Sequence, residues 1–161
     1  MRILGVDPGL TQTGYGIISA VNTQVSLEDY GIIKPKPKDA LPTRLVTIFN
    51  DLRELIEHWE PSVVAVEGIF YGKNIRSTLM LGHARGAALI AAAQSQIPIY
   101  EYSPRKVKQA LTGNGNADKS QVQYMVKSIL KLSDAPEPMD ASDALAVSIC
   151  HLQQFRDRKS V

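Results

Sequence analysis

The 161-residue chain has a single cysteine, Cys150, so no internal disulfide can form. A reducing setting, the cytoplasm by default, is the expected location. The chain also lacks any apolar run of the roughly eighteen residues that a membrane helix needs. It opens directly into Met1-Arg2-Ile3-Leu4-Gly5-Val6-Asp7, without the longer apolar core and cleavage site of a signal peptide. No membrane partner is expected. The three histidines, His58, His83 and His151, stand in no nucleophile motif, so a Ser-His-Asp arrangement has no support and all three read as structural or surface residues. The glycine spacing followed by Lys-Ser that a P-loop requires is missing. Internal repeats and low-complexity segments are absent as well.

What is present is the composition of one folded domain. Hydrophobic residues make up 44% and charged residues 21%. That domain is expected over residues 1–155, with 156–161 a disordered tail. Net charge is only +2, but it is unevenly spread. Between positions 71 and 117 the basic residues are Lys73, Arg76, Arg85, Arg105, Lys106 and Lys108, and the only acid is Glu101. Such a stretch reads either as a solvated basic face or as a surface for a phosphate-bearing partner.

The apolar pattern predicts strands over residues 1–7, 14–20 and 24–34, joined by short turns as an antiparallel meander. Leu45, Ile48, Leu52, Leu55, Ile56 and Trp59 share one face of a helix over 41–59, with Pro61 beyond its end. Val63-Val64-Ala65-Val66 is a continuous β-branched run of the kind found in buried strands. A helix over 75–94, a short strand over 98–100 and a helix capped by Ser103-Pro104 and ending at Gly113 follow. Two further helices are expected over 118–132 and 140–155. A meander followed by alternating helix and strand implies an α/β fold, a mixed sheet with helices on both faces.

Acids stand at the ends of the two most apolar strands. Asp7 closes Ile3-Leu4-Gly5-Val6, and Glu67 closes Val63-Val64-Ala65-Val66. A buried strand has little use for an acid at its end unless a positive group compensates it, and open sheets of this kind place ligand sites at strand ends. Asp140 and Asp143 are neighbours at i and i+3 on the last helix. Each has a plainer reading: Asp7 as a turn residue before Pro8-Gly9, Glu67 as the partner of an arginine, Asp140 as a helix cap or first-turn acid, and Asp143 as a surface residue. If the four converge, they form an oxygen-only site suited to Mg²⁺ or Mn²⁺ rather than zinc. Two such ions about 3.5–4 Å apart relieve the mutual repulsion of the carboxylates and serve phosphodiester hydrolysis.

Several segments together resemble a known family. Asp7-Pro8-Gly9-Leu10 with Thr13-Gly14-Tyr15-Gly16, Glu67-Gly68-Ile69-Phe70-Tyr71-Gly72-Lys73-Asn74, Leu81-Gly82-His83-Ala84-Arg85-Gly86, Val107-Lys108-Gln109, Ala117-Asp118-Lys119-Ser120-Gln121-Val122 and Asp140-Ala141-Ser142-Asp143-Ala144-Leu145-Ala146 are similar, in this order, to the motifs of RuvC crossover-junction endodeoxyribonucleases. The resemblance spans nearly the whole chain. It implies an RNase H-like fold and a homodimer that nicks strands of like polarity across a four-way (Holliday) junction in recombination and repair. It further implies Mg²⁺, two per site with Mn²⁺ as a substitute, and association with a branch-migration motor. Carried over by motif, Asp7, Glu67, Asp140 and Asp143 are the metal-binding catalytic acids, although some relatives carry His at the position of Asp140. Lys108 and Lys119 are the lysines near the scissile phosphate, and Phe70 is an aromatic at the junction core.

Physical reading of the same residues gives Phe70 either a stacking role on bases or a place in the core. Tyr71, Lys73, Asn74, Arg76, Arg105 and Lys106 join Lys108 and Lys119 as expected DNA contacts. The small residues Gly82, Gly86, Ala87 and Ala88 let their helix approach either the sheet or a symmetry mate. A non-catalytic junction-binding protein and another RNase H-like nuclease acting on RNA or hybrids are the competing readings. An ATP-binding protein of the actin or sugar-kinase type needs a second such domain.

Overall fold

The computed structural model describes residues 1–68 and 74–159. Five strands form one sheet: β1 Arg2–Asp7, β2 Thr13–Val21, β3 Gln24–Ile33, β4 Val63–Glu67 and β5 Ile99–Tyr102. Their order is β3-β2-β1-β4-β5. The first three strands pair antiparallel, while β4 runs parallel to β1 and β5 parallel to β4. Among the described residues the helices are α1 Leu41–Trp59, α2 Ile75–Gln94, α3 Pro104–Thr112, α4 Lys119–Leu130 and α5 Met139–Lys159.

Side chains alternate across a strand, and this alternation sorts the core into two layers. Ile3, Ile18, Val63 and Ala65 face α3, α4 and α5, packing with Val107, Leu111, Val122, Val126, Leu145 and Ile149. Leu4, Val6, Ile17, Val64 and Val66 face the other way, against Ile48, Leu52 and Ile56 of α1 and the alanines of α2. Strands β1 and β4 are covered on both faces, which is why their sequences read as unbroken apolar runs.

Helix α5 lies directly on the sheet. Gly5 and Gly14 make this possible, because an added Cβ would collide with the carbonyl oxygens of Ala144 and Asp140 respectively. Three helix starts are closed by capping side chains. Asn74, Ser103 and Asp118 cap α2, α3 and α4 by accepting backbone N–H bonds from Ser77, Lys106 and Gln121. Gln121 returns the bond to Asp118, completing a capping box. Gly113, at φ 74°, ends α3 in the left-handed conformation that glycine adopts freely.

Boundaries differ modestly from expectation. Strand β5 is shifted to 99–102, where it pairs with β4 from Val64 to Glu67. Helix α5 starts at Met139, which places Asp140 within its first turn rather than at the cap. It continues past Phe155 to Lys159, since no glycine or proline interrupts Arg156-Asp157-Arg158-Lys159. Phe70, Tyr71 and Lys73 lie outside the described residues.

Candidate active site

The two strand-end acids meet because of register. Val6 pairs with Val66 across the parallel β1–β4 ladder, so Asp7 and Glu67 stand side by side one residue further on. Alternation puts both on the α5 side of the sheet: Val6 and Val66 face α1 and α2, so the next residue on each strand faces the opposite layer. There the N-terminal end of α5 presents Asp140, in its first turn, and Asp143 just beyond it. The four acids predicted from sequence are thus delivered to one end of the sheet by three elements that are distant in the chain.

Electrostatics record the crowding. Burial pushes the Asp7 carboxyl up to about 9, helped by the charge of Glu67, a shared hydrogen bond with it, and the charges of Asp143 and Asp140. The Glu67 carboxyl is also raised, chiefly by burial and then by Asp143, while its bond with Asp7 and the charges of Lys119 and Lys108 oppose the rise. Two adjacent buried carboxylates favour the protonated form unless positive charge offsets them. The outer acids have other donors. Lys119 Nζ donates to Asp143 Oδ2 at 2.8 Å, and this bond holds the lysine above its ordinary value. Gln12 Nε2 donates to Asp140 Oδ2.

The donor set is oxygen-only and suits a hard divalent cation. Among the described residues no group of three His, Cys, Asp or Glu side chains is closed tightly enough to hold a metal as placed. The outer two carboxylates are instead engaged by Gln12 and Lys119. What fits a cation is the unmet need for positive charge at Asp7 and Glu67.

Two clefts open on either side of Glu67. One, of about 210 Å³, is lined by Pro104, Lys108, Lys119 and Asp143. The other, of about 180 Å³, is lined by Asp7, Pro8, Leu81 and Arg85. Arg85 does not pair with Glu67: its Nε donates to Glu101 Oε2 at 2.8 Å, joined by Nη2, tying α2 to β5. Lys108 and Lys119 therefore reach the acid cluster, and Arg105, Lys106 and Arg76 lie exposed further out on α3 and α2. Asn74 is exposed, and its Oδ1 is taken up in capping α2. His151 is buried beside Tyr102, 2.8 Å from its hydroxyl, and His58 packs edge-on against Trp59. Gln12 is the site residue that sequence reasoning missed.

A family model described as crossover junction endodeoxyribonuclease RuvC matches residues 3–151. The chain belongs to the RuvC family. A RuvC protein from Desulforamulus reducens is 46% identical over 153 residues, covering 95% of this chain and 94% of that protein. Another, from Saccharophagus degradans, is 48% identical over 150 residues, covering 93% and 86%. Among solved structures, Thermus thermophilus RuvC in complex with a Holliday junction substrate superposes with a TM-score of 0.93 at 34% identity, covering 98% of this chain and 96% of that one. The mixed five-stranded sheet is thus the RNase H-like fold of RuvC resolvases. Among the described residues no helix is long and apolar enough to cross a membrane.

Proposed function

We propose that this RuvC-family chain is a structure-selective endonuclease that resolves four-way DNA junctions by metal-dependent phosphodiester hydrolysis, as a single nuclease domain over residues 1–155. The observation that carries this reading is the meeting of Asp7 and Glu67 with Asp140 and Asp143 at one end of the sheet, where burial and crowding push the first two carboxyls up. The catalytic acids are Asp7, Glu67, Asp140 and Asp143, and they would hold Mg²⁺, two ions per site with Mn²⁺ as a substitute. Bound there, the metal supplies Lewis-acid activation of water and neutralises charge on the scissile phosphate.

The chain's own residues do the rest. Lys108 and Lys119 set two ammonium groups at the cleft beside Glu67 and Asp143, where a phosphate would enter. Lys119 also opens α4, whose N-terminal amides favour an anion. Arg76, Arg105 and Lys106 extend the basic surface along the strands of DNA. Phe70, Tyr71, Lys73 and Asn74 belong to the segment after Glu67, with Phe70 stacking at the junction core. A cytoplasmic location and delivery by a branch-migration motor complete the reading. Four acids at one end of the sheet, with basic residues beside them, favour it over a purely architectural junction binder, which has no use for converging carboxylates.

A homodimer supplies one site to each of two strands. Ile75, Leu79, Gly82, Gly86 and Ile90 fall in one stripe on α2 at helical spacing. Ile75 is 76% exposed, Leu79 59% and Ile90 55%, and a Cβ at Gly86 meets nothing within 4 Å. An apolar stripe with glycines suits close packing against the same helix of a second copy. Leu79→Asp is expected to shift sedimentation from dimer to monomer with the circular dichroism of a folded chain. A variant that sediments as wild type takes α2 out of the interface.

The deciding experiment compares an end-labelled four-way junction with a linear duplex of the same sequence, in Mg²⁺ and in EDTA. Paired, metal-dependent nicks confined to the junction are expected. Tight junction binding without cuts, across several core sequences and metals, would overturn the catalytic reading in favour of an architectural one.

A further inference from the structure

Two donors hold the outer carboxylates, and they differ in kind. Asp143 has the ammonium of Lys119, a side chain 66% exposed that brings a full positive charge. Asp140 has the neutral amide of Gln12. An ammonium offsets the negative charge on which a divalent cation depends; an amide orients the carboxylate and leaves its charge in place.

Gln12 is itself anchored. It lies in the loop between β1 and β2, immediately before Thr13, which is fully buried. Thr13 Oγ1 donates to Gly9 O at 2.8 Å and accepts from Gly9 N at 3.2 Å, closing the loop on itself. From the opposite side, Arg44 Nη2 of α1 donates to Leu10 O at 2.9 Å. The loop is therefore tied to α1 and to the start of β2, and Gln12 extends from it across to the first turn of α5. Only one oxygen of Asp140 is used by this bond, so the carboxylate keeps lone pairs for another partner.

We infer that Gln12 is a positioning residue for Asp140, fixing the orientation of that carboxylate without neutralising it and so setting the affinity of the site for a divalent cation. The inference rests on Asp140 being a metal-holding acid, as proposed above. Partners of this sort, one step behind a ligand, change metal affinity by about 10- to 100-fold when removed.

Gln12→Met tests it, since methionine keeps the length of the side chain and loses the N–H donor. Wild type, Q12M and D140N are titrated with MgCl₂, following both the rise in Tm and the heat of binding. Tm in EDTA and four-way junction affinity in EDTA are measured alongside. The expected result is a Mg²⁺ midpoint about tenfold higher in Q12M, a larger rise in D140N, and junction affinity in EDTA unchanged in Q12M. A Q12M midpoint within about twofold of wild type, with D140N displaced, overturns the role of Gln12 and leaves the four-acid site intact. A D140N midpoint equal to that of wild type removes Asp140 from the site and the role of Gln12 with it. A Q12M protein whose Tm falls equally in EDTA and in Mg²⁺, with its midpoint unmoved, makes Gln12 a brace of the loop and overturns the inference as well.

Discussion

Asp7→Asn is expected to abolish junction cleavage and at the same time to raise the thermal stability of the metal-free protein. The two effects have one cause. The Asp7 carboxyl is raised from its ordinary 3.8 to about 9, first by burial and then by Glu67. A carboxyl that holds its proton more tightly when folded contributes stability below its unfolded value, and that contribution is lost as pH rises toward the folded one. Between about pH 4 and pH 9 the metal-free protein therefore loses stability with a slope of up to about 1.4 kcal/mol per pH unit from this group. Asparagine has the same shape and no charge to bury. At pH 8 in EDTA the variant should be the more stable, with a Tm higher by several degrees for a chain of this size. Its stability should vary less with pH.

Mg²⁺ should reverse the order, because only the wild-type site gains from cation binding. Loss of a metal-holding acid removes several kcal/mol of charge stabilisation at the scissile phosphate, so cleavage should fall by about 10³-fold or more. Thermal melts from pH 5 to pH 9, with EDTA and with Mg²⁺, give the stability result, and labelled junctions give the rate. An Asp7→Asn protein less stable than wild type in EDTA at pH 8 would show that the carboxylates are not in conflict.

Much of this site can be read along the chain because each acid is abnormal in its local setting. Asp7 and Glu67 end runs that are otherwise wholly apolar, and Asp140 and Asp143 carry helical spacing. A local signal also locates the helix cap at Ser103, ahead of Pro104. What the chain does not display is who faces whom. The pairing of Val6 with Val66 that brings Asp7 to Glu67 is a long-range parallel ladder with no local signature. Arg85 illustrates the same limit. Sequence leaves an arginine partner for Glu67 open, and the fold gives Arg85 to Glu101 on the neighbouring strand. Gln12 escapes for a further reason: a polar residue in a tight loop is ordinary, and only the arrival of α5 gives its amide something to hold.

The contact between α5 and the sheet is itself the most sensitive part of the design. Gly14→Ala is expected to destabilise the fold and to disable the site together. Gly14 is paired with Asp7 on β1, and a Cβ there would collide with the carbonyl oxygen of Asp140 and crowd its carbon and Ala141 N. All three are backbone atoms in the first turn of α5, so no side-chain rotation can make room. The helix end must lift. Overpacking of this kind costs about 1–3 kcal/mol, which lowers Tm by roughly 5–10 °C at the upper end for a chain of this length. Lifting the first turn also moves Asp140 and Asp143 away from Asp7 and Glu67. A misplacement of about 1 Å in such a site can reduce rate about 100-fold. Cleavage should therefore fall by at least about that factor at temperatures where the variant is still folded, and the Mg²⁺ midpoint should rise. If Gly14→Ala keeps wild-type Tm, rate and Mg²⁺ midpoint, α5 does not rest on Gly14, and the acids at its N-terminal end are held by something other than the sheet.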